Sequence, residues 1–168
     1  MTRIIPAILL FTFFSCKQVH QPVEHNNESD PFSDALVKAN KAKVEQHQVI
    51  IKEFVENNGI NAQVKQSGLW YEIIKGNSPE VSITTGMQVS YTYSVFFLNG
   101  ELCYSAKENT IEVGKGGVES GVEEGLLLLH KGDSARFIIP PHLAHGLTGD
   151  DNKIPGNTIL DLRLRIHP

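Results

Sequence analysis

The chain has 168 residues, 40% apolar and 20% charged, which gives room for one ordinary domain with a tail and argues against both a membrane-spanning and a fully disordered chain. The net charge is -4 and Lys and Arg are scattered without forming a stripe, so nucleic acid is not expected as a partner. Cys16 and Cys103 lie far apart and offer neither a disulfide framework nor the paired spacing of a zinc site.

At the N-terminus Arg3 supplies a positive start, and Ile4 to Phe14 form an apolar run well short of the ~20 residues that cross a bilayer. Residues 1–15 therefore read as a signal peptide. Ser15-Cys16 at its end resembles the lipobox of bacterial lipoprotein precursors. That resemblance implies lipidation of Cys16, a mature chain beginning there, and anchoring to a membrane of the cell envelope. Lys17 stands where an inner-membrane retention signal would carry aspartate, which points to the outer membrane, facing the periplasm. A plain secretory signal that happens to contain a cysteine is the alternative. Residues 16–31 are polar with two prolines and read as a tether.

Residues 32–66 form a helical segment. Val37, Val44, Ile51 and Val55 recur at helical spacing beside Leu36, Ile50 and Phe54, and Asn57-Asn58-Gly59 supplies a stop, so one helix of about six turns or two shorter ones is expected. The pattern leaves open whether the helix packs on its own domain or pairs with a second copy, so the oligomeric state stays open.

Beyond Ile60 the period changes to two. Leu69 to Ile74 reads as a strand ending at the turn Gly76-Asn77-Ser78-Pro79. Val89, Tyr91, Tyr93, Val95 and Phe97 alternate with polar residues, and Asn99-Gly100 turns that strand into Leu102-Cys103-Tyr104. Ala135, Phe137 and Ile139 form another strand. The last runs through Leu160, Leu162, Leu164 and Ile166, alternating with Asp161, Arg163 and Arg165. Between them Val118, Val122, Leu126 and Leu129 fall on one helical face that ends at Gly132. One short helix among antiparallel strands gives an α+β domain over residues 67–168.

These pieces resemble the FKBP family of peptidyl-prolyl isomerases. Val89-Ser90-Tyr91-Thr92 is similar to the family's V-x-Y-T strand, and Val118 to Leu126 to its V-I-x-G-W-E-E-G-L helix start. Gly132 to Ala135 is similar to G-x-x-A, Ile139 to Gly146 to I-P-x-x-x-A-Y-G, and Ile154-Pro155-Gly156-Asn157-Thr158 to I-P-P-N-T. The lipid signal, the leading helix and Cys103-Tyr104 together resemble the FKBP-type lipoproteins associated with gliding motility. The family implies an antiparallel sheet wrapped around a short helix, proline-containing polypeptides as substrates, and no cofactor or metal.

Carried over position by position, the resemblance implies a substrate pocket of Tyr91, Cys103, Tyr104, Val118, Val122, Ile154 and Leu162. The backbone N–H of Glu119 would hold a substrate carbonyl, and His145 would stand in for the loop tyrosine. Tyr91, Glu119 and His145 thus form the expected catalytic set. The sequence departs from the pattern at several of these places: Tyr104 replaces an aspartate, Cys103 a phenylalanine, Val122 a tryptophan, Glu119 an isoleucine and His145 a tyrosine. An isomerase that assists exported proteins, and a peptide-binding or assembly module without turnover, both remain open.

Simpler readings stand beside these. Tyr91 and Leu162 fit ordinary core positions, and Cys103 a small buried hydrophobe. His142 and His145 fit loop hydrogen bonding better than metal ligation. Glu119, Glu123 and Glu124 fit complementation of a helix dipole.

Overall fold

The computed structural model describes residues 31–74 and 81–168. The signal peptide, Cys16, the tether as far as Asp30 and the turn at Gly76 to Pro79 lie outside the described residues. In chain order the elements are α1 (Pro31–Asn57), β1 (Gln63–Val64), β2 (Trp70–Ile74), β3 (Gln88–Phe97), β4 (Leu102–Glu112), α2 (Ser120–Leu126), β5 (Ser134–Ile139), a 3-10 turn (Pro141–Leu143) and β6 (Leu160–Ile166).

α1 is one unbroken helix of 27 residues. It stops because Gly59 takes φ 61°, which an α-carbon without a side chain adopts at little cost. The chain then folds back so that the Ile60 N–H reaches the Val55 carbonyl and the Gly59 N–H the Glu56 carbonyl. This is the Schellman pattern, with buried Ile60 and Val55 supplying its apolar contact. The helix ends at the expected Asn57-Asn58-Gly59 stop, and the rest of the segment 32–66 contains β1. The first turns of α1 are exposed, whereas Ile51 and Val55, one turn apart, are buried against Ile60, Ile138 and Ile159. Gln48 fixes the seam by accepting the Trp70 indole N–H at 2.8 Å and donating to the Gly68 carbonyl at 3.1 Å.

The strands form one antiparallel sheet in the order β1-β2-β5-β6-β3-β4. β4 runs well past the expected Leu102 to Tyr104, because its bulged pairing with β3 continues as far as Gln88 opposite Glu112. One face of the sheet packs α2 through Leu69, Val89, Tyr91, Phe137, Leu162, Leu164 and Ile166. α2 lies close because it carries glycine where it crosses β5. A β-carbon on Gly125 would come within 2.7 Å of the Phe137 ring, and one on Gly121 within 2.7 Å of Ile139 Cγ2.

α2 is shorter than the apolar spacing suggests. Val118 precedes it and Leu129 follows it, because the chain beyond Leu126 gives its polar groups to a neighbour: Ile83 N–H donates to the Leu129 carbonyl and Lys131 N–H to the Val81 carbonyl. Asp161 is a second difference. Its place in the alternation assigns it to a polar face, yet it is buried, because α1 covers that face. Arg136 donates to both its carboxylate oxygens, at 2.9 and 2.7 Å, Arg163 adds a bond at 2.9 Å, and the Arg136 guanidinium stands 5.7 Å from the Phe54 ring centre.

Candidate functional site

Between α2, the outer half of the sheet and the loop after β5 lies a hollow of about 360 Å³. Tyr91 enters it from β3 and Leu162 from β6, while Val118 and Glu119 come from the segment leading into α2 and Val122 from its first turn. His145 and Ile154 come from the loop, and Tyr104 from β4. Sequence reasoning thus gathers eight of its nine pocket residues around one space. Tyr104 forms part of the wall and leaves the space open.

Cys103 is the exception. Strand alternation turns it away from Tyr104, and it is buried behind the wall with Ile154 and Leu160. Burial, and then the charge of Glu101, push its thiol pKa up, which disfavours the thiolate that a nucleophile requires. The hollow also takes in Tyr93 and Val95, which share the inward alternation of Tyr91, together with Asn109. The strand period could have given the first two. Nothing in the sequence marks Asn109, whose Nδ2 donates to the Tyr91 hydroxyl oxygen at 2.8 Å across the β3–β4 pair.

Burial raises the Tyr91 phenol above its ordinary pKa, and Glu119 and Glu123 add to the rise while the Asn109 bond opposes it. The Tyr91 hydroxyl therefore stays protonated at neutral pH. Glu119 stands at the head of α2 in extended conformation, φ -57° and ψ 147°, and does not cap the helix with its side chain. Its Oε1 lies 3.3 Å from His145 Nε2, so the two residues meet at the edge of the hollow. Among the described residues no acceptor faces the Glu119 backbone N–H. Glu123 is occupied elsewhere: its carboxylate accepts the Gly114 and Gly116 N–H groups and ties down the link from β4 to α2.

Asp150 is a further residue that the sequence motifs do not mark. Its Oδ2 accepts the Tyr104 hydroxyl at 2.5 Å, and its Oδ1 accepts the backbone N–H groups of Asn152 and Ile154 at 3.0 and 2.7 Å. The Tyr104 bond above all holds its carboxyl pKa down at about 2, and the same bond pushes the Tyr104 phenol up. One carboxylate therefore fixes both the Tyr104 ring and the loop that carries Ile154. The available signal is the turn sequence Gly149-Asp150-Asp151-Asn152, in which an aspartate bonding two residues ahead is a common turn device. Lys153 completes this wall, donating to the Cys103 carbonyl at 3.1 Å and lying 4.9 Å from the Tyr104 ring centre. His142 faces another way and makes a 3.0 Å hydrogen bond with the Ser67 carbonyl.

An antiparallel sheet bent around a two-turn helix, with an apolar hollow between helix, sheet and loop, is an FKBP-like α+β architecture. Residues 80–166 match the family model for FKBP-type peptidyl-prolyl cis-trans isomerases, and the chain belongs to that family. FK506-binding protein 2 of Dictyostelium discoideum is 30% identical over 114 residues, covering 63% of this chain and 86% of that protein. A probable FKBP-type peptidyl-prolyl cis-trans isomerase of Haemophilus influenzae is 33% identical over 134 residues, 74% of this chain and 55% of the other. Human peptidyl-prolyl cis-trans isomerase FKBP9 is 34% identical over 88 residues, and the chain spans only 15% of its length. Among solved structures, FkpA from Escherichia coli shares the fold with a TM-score of 0.62 at 22% identity, over 82% of this chain and 67% of that one. AtFKBP13 superposes with a TM-score of 0.58 at 26% identity, over 62% and 95%.

Proposed function

We propose that the protein is a peptidyl-prolyl cis-trans isomerase that turns X-Pro bonds in exported polypeptides. Rotation needs no nucleophile. It has to overcome about 18 to 20 kcal/mol of lost amide resonance, and a site that fits the twisted imide better than either planar isomer lowers that barrier, each 1.4 kcal/mol being about a factor of ten. In this reading the proline ring sits between Tyr91, Val122, Ile154 and Leu162. The twisted imide is less charge-separated than the planar one, so apolar walls favour it. The Glu119 N–H holds the substrate carbonyl and His145 faces the preceding residue.

The observation that carries the reading is the open hollow itself, with Tyr104 drawn back onto its wall by Asp150. Val122, in place of an indole, gives a shallower floor. The test is a cis-trans exchange assay on proline tetrapeptides with protein shown to be folded. Acceleration well above the blank supports the enzyme, whereas rates within about twofold of it leave a peptide-binding or assembly module on the same scaffold.

The resemblance of Ser15-Cys16 to a lipobox supports a lipid-anchored chain in the cell envelope, and Lys17 after it supports the outer membrane, facing the periplasm. Labelling with a radioactive or clickable fatty acid is expected to mark the wild-type protein and not Cys16→Ser. Equal labelling of both would end the lipoprotein assignment, including its likeness to the gliding-associated lipoproteins.

A further inference from the structure

The hollow is lined mainly by apolar and aromatic side chains and by one carboxylate, Glu119, which turning an imide does not require. Two further carboxylates lie behind its lining, in different situations. Glu123 is held by two backbone N–H groups, and Asp150 by the Tyr104 hydroxyl and two more. Glu119 keeps 34% of its side chain exposed and, among the described residues, its carboxylate meets the His145 ring. The neighbouring cations are engaged elsewhere: Lys153 with the Cys103 carbonyl and the Tyr104 ring, Lys115 with Glu112 at 3.7 Å. Lys153 keeps its charge in these neutral contacts on the Tyr104 side of the hollow, so the negative charge offered to a ligand is concentrated at Glu119, which with Glu123 acts on the buried Tyr91 phenol.

Resting on the isomerase reading of this pocket, we propose that Glu119 is a specificity residue, selecting X-Pro segments that carry a lysine or arginine within one residue of the proline and disfavouring those with aspartate or glutamate there. A client cation takes the place of the imidazole on Glu119 or adds to it at the second carboxylate oxygen. A client carboxylate meets repulsion instead. Charges a few ångströms apart at a wet rim interact weakly, so the effect is a factor of several in each direction and shrinks as salt shortens the screening length from ~30 Å at 0.01 M to ~8 Å at 0.15 M.

The experiment is NMR exchange spectroscopy on uncharged-terminus tetrapeptides at low salt, with Lys, Leu or Glu placed before the proline in one set and after it in another. The expected kcat/KM order is Lys over Leu over Glu at one flank or both, with a Lys-to-Glu ratio of about tenfold that falls at 0.3 M salt. In Glu119→Gln, checked for folding by circular dichroism, the ratio is expected to collapse towards one whatever the absolute rates. Glu56→Gln, a change at an exposed α1 position paired with Lys52, is expected to keep it, which separates local from net charge. A wild-type ratio below twofold at both flanks, or a full ratio surviving in Glu119→Gln, overturns the proposal. If no peptide is turned over, the isomerase reading fails by itself. Amide-shift titrations with the same peptides then decide the charge preference, and equal affinities for the Lys and Glu peptides overturn it.

Discussion

The two faces of the sheet are built from the same alternating strands and end in opposite conditions. Towards α1, Ile138 and Ile159 interlock with Ile51 and Val55, and even the polar Asp161 is buried, capped by the partly exposed Arg136 and Arg163. Towards α2, Phe137 closes the packing under Gly125, but the space beyond Val122 stays open between Tyr91, Leu162 and Ile154. A long helix covers its face with branched side chains. The short one covers half of its own and leaves the rest to a loop held by Asp150. Closure on one side gives the rigidity that allows a void on the other, since packed interiors transmit strain and resist collapse.

The comparison breaks most severely at Phe137, whose ring fills the closed part of the α2 face. Phe137→Ala is expected to cost about 3 to 5 kcal/mol in urea unfolding, because the glycine-backed helix has no side chain to move into the gap. On the other face Ile51→Ala is expected to cost about 2 to 4 kcal/mol, and fluorescence of Trp70, bonded to Gln48 across the seam, should report the undocking of α1. Asp161→Ala is expected to cost about 2 kcal/mol, below the range for deeply buried pairs because the Arg136 side chain is 20% exposed. If the Arg136→Met, Asp161→Leu double variant regains most of that loss, the pair is a geometric constraint more than a source of stability.

On the open face the expected effects are kinetic. Asp150→Ala releases both Tyr104 and the Ile154 loop, and kcat/KM is expected to fall about tenfold while urea unfolding shifts little; an unchanged kcat/KM would mean that the wall forms without it. The smallest effect is in acid. The folded pKa of Asp150, about 2, lies below the ordinary 3.8, so its contribution is complete above pH 4 and is lost as the pH falls towards 2. Thermal melts from pH 5 to pH 2 should therefore slope less steeply in Asp150→Asn than in wild type.

How much of this was legible in the sequence follows from the range of each interaction. Period-two alternation placed Tyr91, Leu162 and Phe137 on one face, because that signal is local to each strand. The burial of Asp161 was not legible, since it depends on α1 lying over a face that the alternation marks as polar. The short span of α2 depends likewise on the Ile83 N–H donated to the Leu129 carbonyl and the Val81 carbonyl accepting from Lys131, far away in the chain. In the site, family motifs brought eight residues together but misplaced Cys103, because alternation beside Tyr104 decides which of the two faces the void. Asp150 stayed hidden because its significance lies in a tyrosine hydroxyl 46 positions away in sequence.

The close approach of α2 to β5 beside the hollow is set by side chains that are missing. At Gly121 an added methyl would meet Ile139 and come within 3.0 Å of the Leu143 carbonyl, so substitution there must shift backbone. Glu119 and His145 lie under no such limit at the rim. Side chains at the opening can therefore vary where the spacing of helix and sheet beside them cannot.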